Sequence, residues 1–147
     1  MHGSSFFCTP RQTEWNVEDK ICGSTDSPLT ELGRQQAKKA GEKILSGKIK
    51  VDEIFYSPLS RARDTALIIS EITGIPACED CCLFGQNFGK WEGTSPRKSA
   101  AFTADKEKFA YSYDDGESML HTESRIAKQK NTNGSNISFL LKAVEIF

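Results

Sequence analysis

An alternation of short apolar runs with helix-forming stretches constrains the first half of this chain more than any other feature. Phe6-Phe7-Cys8 lies in a strand expected over residues 5–9 and gives way to a polar loop over residues 10–29. Turn signals stand at Cys22-Gly23-Ser24 and Asp26-Ser27-Pro28. Thr30 is a good N-cap and Glu31 puts negative charge in the first turn, so a helix is expected to start there. Leu32, Ala37, Ala40, Ile44 and Leu45 share one face of it, and Gly47 is its stop. A second strand is expected at Val51–Tyr56, then a helix with Ser57 as N-cap and Pro58 as first helical residue. Leu59, Ala62, Ala66, Ile69 and Ile72 mark its buried face, Gly74 ends it, and Ile75-Pro76-Ala77-Cys78 forms a short edge strand. Parallel strands need a crossover between them, so this order predicts an α/β fold with a mostly parallel sheet.

The second half is less regular. Asn87-Phe88-Gly89-Lys90-Trp91-Glu92-Gly93 is a turn-rich aromatic loop, residues 97–110 read as a polar helix, and a further helix is expected from Ser118 to Lys130. A polar loop over 131–136 and an apolar stretch from Ile137 to Phe147 follow.

At 147 residues, with 37% hydrophobic and 27% charged residues, the chain is expected to form one globular domain. A net charge of -1 gives no bias toward nucleic acid or a membrane surface. No apolar run approaches the roughly 18 residues of a spanning helix. Met1-His2-Gly3-Ser4-Ser5 has neither the basic nor the apolar region of a secretory signal. Five cysteines make an odd count for a disulfide framework, so reduced thiols and a cytoplasmic location are expected. The glycosylation patterns at Asn133 and Asn136 then carry no weight.

In a parallel α/β sheet, ligands sit beyond the carboxyl ends of the strands, where helices begin. Two loops qualify here: residues 9–16, and Ser57 to Arg61. Arg61 falls in a helix first turn, where guanidinium, backbone N–H groups and helix dipole all favour an anion. Taken alone, Arg61 reads first as an ordinary surface arginine at a helix start. Cys78-Glu79-Asp80-Cys81-Cys82 places three thiols in five residues, a conceivable zinc set. No second Cys or His pair stands at a suitable spacing, so loop thiols and no cofactor are the expectation.

Five segments occur in order: Gln-Thr-Glu-Trp-Asn at 12–16, Asp-Ser-Pro-Leu-Thr-Glu-Leu-Gly-Arg-Gln-Gln-Ala at 26–37, Ser-Pro-Leu-Ser-Arg-Ala-Arg-Asp-Thr-Ala at 57–66, Phe-Gly-Lys-Trp-Glu-Gly at 88–93 and Gly-Glu-Ser at 116–118. Over about residues 6–127 the chain resembles the histidine phosphatase superfamily, on its cofactor-dependent phosphoglycerate mutase-like branch. The resemblance implies a three-layer α/β/α fold with a mostly parallel sheet. It implies one domain over 1–147, with a cap-like insertion at 94–116, a divergent tail at 128–147 and a sheet incomplete at the C-terminus. In the family a histidine attacks a phosphoryl group, arginines and a second histidine hold its oxygens, and a carboxylic acid protonates the leaving group.

Carried over position by position, the resemblance implies a broken site. The family's opening Arg-His-Gly falls on Thr9, Pro10 and Arg11, so Pro10 stands at the nucleophile's position. The acid's position, three residues before Phe88-Gly89, is Gly85. No histidine follows His121, which is expected to be a solvated helical residue, and His2 precedes the first strand. Arg61, Asn16, Thr13, Arg11, Cys22 and Gly23 are the implied phosphate- or substrate-binding residues. Glu92 and Glu117 match motif positions without matching the acid. The implied function is phosphomonoester hydrolysis or phosphoryl transfer on a small phosphorylated metabolite, with activity at or near background in this chain. The alternative is a non-catalytic binder of phosphate or sugar phosphate. The oligomeric state is left open.

Overall fold

The computed structural model describes residues 5–7, 12–47, 50–95, 115–118, 120–122 and 124–125. The expectations for residues 8–11, 96–114 and 126–147 lie outside these. Three strands form one parallel sheet in the order β1 (Ser5–Phe7), β2 (Glu53–Tyr56), β3 (Ala77–Glu79). Phe6 registers with Ile54, and Ile54 with Ala77. Helix α2 (Glu31–Leu45) joins β1 to β2, after the one-turn helix α1 (Glu14–Val17), and α3 (Ser60–Thr73) joins β2 to β3. Two successive crossovers in one direction, each right-handed by the twist rule, put α2 and α3 on the same face, where they pack on each other.

The alternation read from sequence is therefore present, with strand bounds shifted. β2 begins at Glu53 rather than Val51, and β3 lies at 77–79 rather than 75–78. The core joins Ala40 and Ile44 of α2, Ile54 of β2, and Ala66 and Ile69 of α3. Removing a side chain such as Ile69, which is fully buried, costs about 2–5 kcal/mol. Leu32 and Leu45 are corrections to the expected face of α2: they are 49% and 62% exposed. Glycines hold the close contacts instead. A Cβ on Gly33 would lie 2.2 Å from the Gln12 carbonyl oxygen, and one on Gly41 would lie 3.1 Å from Ile72.

Helix ends follow local chemistry at three of four places. Thr30 caps α2, its hydroxyl accepting from the Gly33 N–H at 3.1 Å. Gly47 and Gly74 have φ of 74° and 70° and end α2 and α3, as glycine allows. The start of α3 is a correction. Leu59, not Ser57, is the N-cap, and its side chain makes no capping bond. The capping acceptor is Asp26, whose two carboxylate oxygens both lie 3.1 Å from the Ser60 N–H. A carboxylate from the preceding loop thus already occupies the anion position at this helix start.

Candidate anion site

The loops that follow the sheet's carboxyl edge meet around Arg61. This residue is only 6% exposed, so it is not a surface arginine. Its Nη1 donates to the Thr25 carbonyl at 2.8 Å and its Nη2 to the Gly23 carbonyl at 2.5 Å. Both acceptors are neutral. The nearest carboxylate, Asp26, lies 3.9 Å from Nη1 and is half exposed and engaged at the α3 N-terminus. Of the five guanidinium N–H groups, the remaining three have no partner among the described residues. The result is a buried cation, oriented by two carbonyl dipoles and paired with Asp26 at 3.9 Å, near the limit of an ion pair.

Gly23 fits because it has no side chain. A Cβ there would lie 2.1 Å from the Gln86 carbonyl oxygen, 2.6 Å from the Phe88 ring and 2.7 Å from Glu92. Gly85 is pressed against the same strip: its Cβ would lie 2.3 Å from the Gly23 oxygen and 3.5 Å from Arg61 Nη2. Cys22, Gly23, Arg61 and Gly85 are therefore brought together. The Cys22 thiol is pushed up by burial, with Arg61 opposing and Glu92 and Asp26 reinforcing the rise. It donates to the Thr25 carbonyl at 3.6 Å and stays protonated at neutral pH, which makes it a weak nucleophile.

Thr13 and Asn16 bond to each other rather than to Arg61. The Asn16 Oδ1 accepts from the Thr13 N–H at 3.0 Å and from its hydroxyl at 2.9 Å, while the Thr13 hydroxyl caps α1. Thr13 is 1% exposed and pairs with Leu29 in an isolated antiparallel bridge. Residues 12–16 are thereby fastened to residues 27–30. Asn16 is exposed, and its amide N–H groups have no partner among the described residues. Pro10 and Arg11 lie outside the described residues.

Two site residues were not legible as such. Asp26 sits in the second motif, but its capping of α3 crosses 34 residues. Glu92 was noted only as a motif position. Its carboxylate binds the Ser24 and Thr25 main chain and hydroxyls, 67 and 68 residues earlier in sequence. On the far side of the aromatic loop, Glu117 pairs with Arg125 at 3.0 Å and accepts from the Asn87 N–H at 3.2 Å. His121 is exposed, 3.1 Å from the Ser118 hydroxyl, as a helical surface residue would be. No three His, Cys, Asp or Glu side chains gather into a metal site among the described residues. Cys78 and Cys81 are exposed free thiols. No described helix is long and apolar enough to cross a membrane.

Fold and site together define an α/β protein with a buried arginine where loops leave a parallel sheet. The family model of the histidine phosphatase superfamily (branch 1) matches residues 12–132. This chain belongs to that superfamily. The match begins at Gln12 and runs a few residues beyond the expected limit of 127. The 2,3-bisphosphoglycerate-dependent phosphoglycerate mutase of Chelativorans sp. (strain BNC1) is 32% identical over 135 residues, covering 86% of this chain and 66% of the relative. The uncharacterized phosphatase PhoE of Bacillus subtilis is 38% identical over 82 residues, 56% of this chain and 42% of that one. A mycobacterial glucosyl-3-phosphoglycerate phosphatase, solved with VO3, superposes with a TM-score of 0.75 at 29% identity, covering 86% of this chain and 66% of that one. The chain spans 42% to 66% of the length of its first three curated relatives.

Proposed function

We propose that this chain keeps the family's anion pocket, centred on Arg61, and lacks the family's phosphoryl-transfer step. The observation that carries the reading is the buried Arg61 guanidinium, aimed by two neutral carbonyls and with three N–H groups not hydrogen-bonded among the described residues. Such a group recognises a phosphate monoester strongly, because charge-assisted bonds in a poorly solvated site are the strong ones. Cys22 and Gly23 are the pocket residues beside Arg61, and Thr13, Asn16 and Arg11 are its further binding residues by the family resemblance. The ligand is a small phosphorylated metabolite, such as a sugar phosphate or phosphoglycerate, as the relatives' names suggest.

The chemical step is missing for a stated reason. Phosphoryl transfer through a covalent intermediate needs an in-line nucleophile and an acid for the leaving oxygen. The chain's two histidines are His2 and His121, and Pro10 and Gly85 stand at the family's nucleophile and acid positions. Cys22, as a protonated thiol, does not replace them. Calorimetry with inorganic phosphate tests the pocket. Arg61→Ala should weaken binding by about tenfold to a hundredfold, the worth of charge-assisted hydrogen bonds; unchanged affinity removes the reading.

One observation favours a second reading, in which the lesion lies in the reading frame. Thr9-Pro10-Arg11-Gln12 is encoded by ACN-CCN-CGN-CAR when arginine uses its CGN codons. Read one nucleotide downstream, this gives CNC-CNC-GNC, which can spell Arg-His-Gly. The reading demands ACG for Thr9, CCA for Pro10 and CGG for Arg11. Sequencing the gene and its transcript decides it: any other base at those three third positions ends the idea, whereas those three bases together with a shifted-frame Ser-His-Gly beyond codon 126 mark the lesions as reading errors in an active parent.

A further inference from the structure

Glu92 gathers more hydrogen bonds than any role of its own on the loop surface requires. Its Oε1 accepts from the Ser24 N–H at 2.8 Å, the Ser24 hydroxyl at 2.9 Å and the Phe88 N–H at 3.0 Å. Its Oε2 accepts from the Thr25 N–H at 2.7 Å and from the Thr25 hydroxyl. Five donors thus converge on one carboxylate, four of them from two consecutive residues. Those residues lie within the strip whose carbonyls hold Arg61: Gly23 on one side and Thr25 on the other. The Ser24 N–H shares a peptide plane with the Gly23 carbonyl, so its bond to Glu92 fixes that carbonyl's direction, while the bonds from the Thr25 N–H and hydroxyl anchor residue 25, whose own carbonyl lies in the next plane. Burial works against the charged form of Glu92, but the bonds from Thr25, Phe88 and Ser24 outweigh it and hold the carboxyl below its ordinary range.

We propose that Glu92 is a positioning residue for the anion pocket: it clamps residues 24–25 so that the Gly23 and Thr25 carbonyls aim the Arg61 guanidinium. Glu92 does not touch the anion. It acts through the loop, and the inference rests on the reading of Arg61 as the anion-binding group. The aromatic loop supplies the backing, since Gly93 donates to the Ile21 carbonyl at 2.9 Å and Ile21 donates to Thr94 at 2.8 Å, while Phe88 and Trp91 pack on Ile21. Without Glu92 the strip loses its fixed planes, Arg61 samples several orientations, and each binding event must order it again.

The test follows Arg61 directly by 15N NMR of its guanidinium, beside calorimetry with inorganic phosphate. In the unaltered protein, two carbonyl acceptors hinder rotation and separate the Arg61 Nη signals. Glu92→Ala should merge those signals and weaken phosphate binding about tenfold, a typical effect of lost preorganisation. Glu92→Gln keeps one acceptor oxygen and should recover part of both. Thr30→Ala, a cap change at a hydroxyl that bonds only Gln12 and Gly33 among the described residues, should lower stability and leave the Nη signals separate. Separate Nη signals in Glu92→Ala overturn the inference, and so do merged signals with unchanged phosphate affinity. If the unaltered protein binds no phosphate yet Glu92→Ala merges the signals, the positioning of Arg61 by Glu92 stands and the anion reading falls.

Discussion

Gly23→Ala is the substitution to which the site should be least tolerant. The added Cβ would lie 2.1 Å from the Gln86 carbonyl oxygen, 2.6 Å from the Phe88 ring and 2.7 Å from Glu92. The Phe88 and Glu92 side chains can swing away, but the Gln86 oxygen is main chain, so residues 22–25 and 85–88 must separate. Gly23 is not among the glycines with positive φ, so the requirement is space rather than backbone conformation. Separation breaks the 2.5 Å bond from Arg61 to Gly23 and strains the Glu92 clamp. Overpacking of this kind costs about 1–3 kcal/mol, and we expect about 2. With an m-value of about 1.5 kcal/mol per M in urea, the midpoint should fall by about 1.3 M. Phosphate affinity should fall with it. A midpoint within about 0.3 M of the unaltered protein, with phosphate binding intact, would refute the packing described around Gly23.

The same packing bears on repair: Gly85→Glu, which puts a carboxyl where the proposed reading places the family's acid, should lower the urea midpoint and give no turnover. Its Cβ would meet the Gly23 carbonyl at 2.3 Å, and a stable, hydrolytic variant would contradict this. Thr30→Ala should cost about 1 kcal/mol in urea unfolding through loss of the α2 cap, and a change within 0.3 kcal/mol would show that the cap contributes little. Glu92 has its carboxyl lowered by folding, so its contribution is present above its ordinary value of about 4.3 and is lost as pH falls through the lower folded value. Stability of the unaltered protein should therefore drop more steeply below about pH 4.3 than that of Glu92→Gln. Parallel acid profiles would count against the clamp.

What was legible in the sequence was local. Thr30 caps with its own hydroxyl, Gly47 and Gly74 adopt positive φ, and Ala37, Ala40, Ala66 and Ile69 recur at helical spacing, so these are buried where expected. The start of α3 was misread because its cap is Asp26, 34 residues away, and Ser57-Pro58 imitates a local one. Periodicity places Leu32 and Leu45 inside, yet Gly33 and Gly41 make the close contacts, and an apolar count does not register glycines. Arg61 was identifiable by its place in a motif, but its burial was not. Glu92 was visible as a letter in Trp-Glu-Gly; its role depends on partners 67 and 68 residues earlier, which no window of sequence contains.

The most direct test of an anion pocket without a phosphoryl-transfer step is the rate of aryl phosphate hydrolysis, compared between the unaltered protein and Arg61→Ala. The account predicts that both release phenol at the background rate. Release at the pace of an ordinary phosphatase, abolished by Arg61→Ala, would contradict it and place a working nucleophile in this chain.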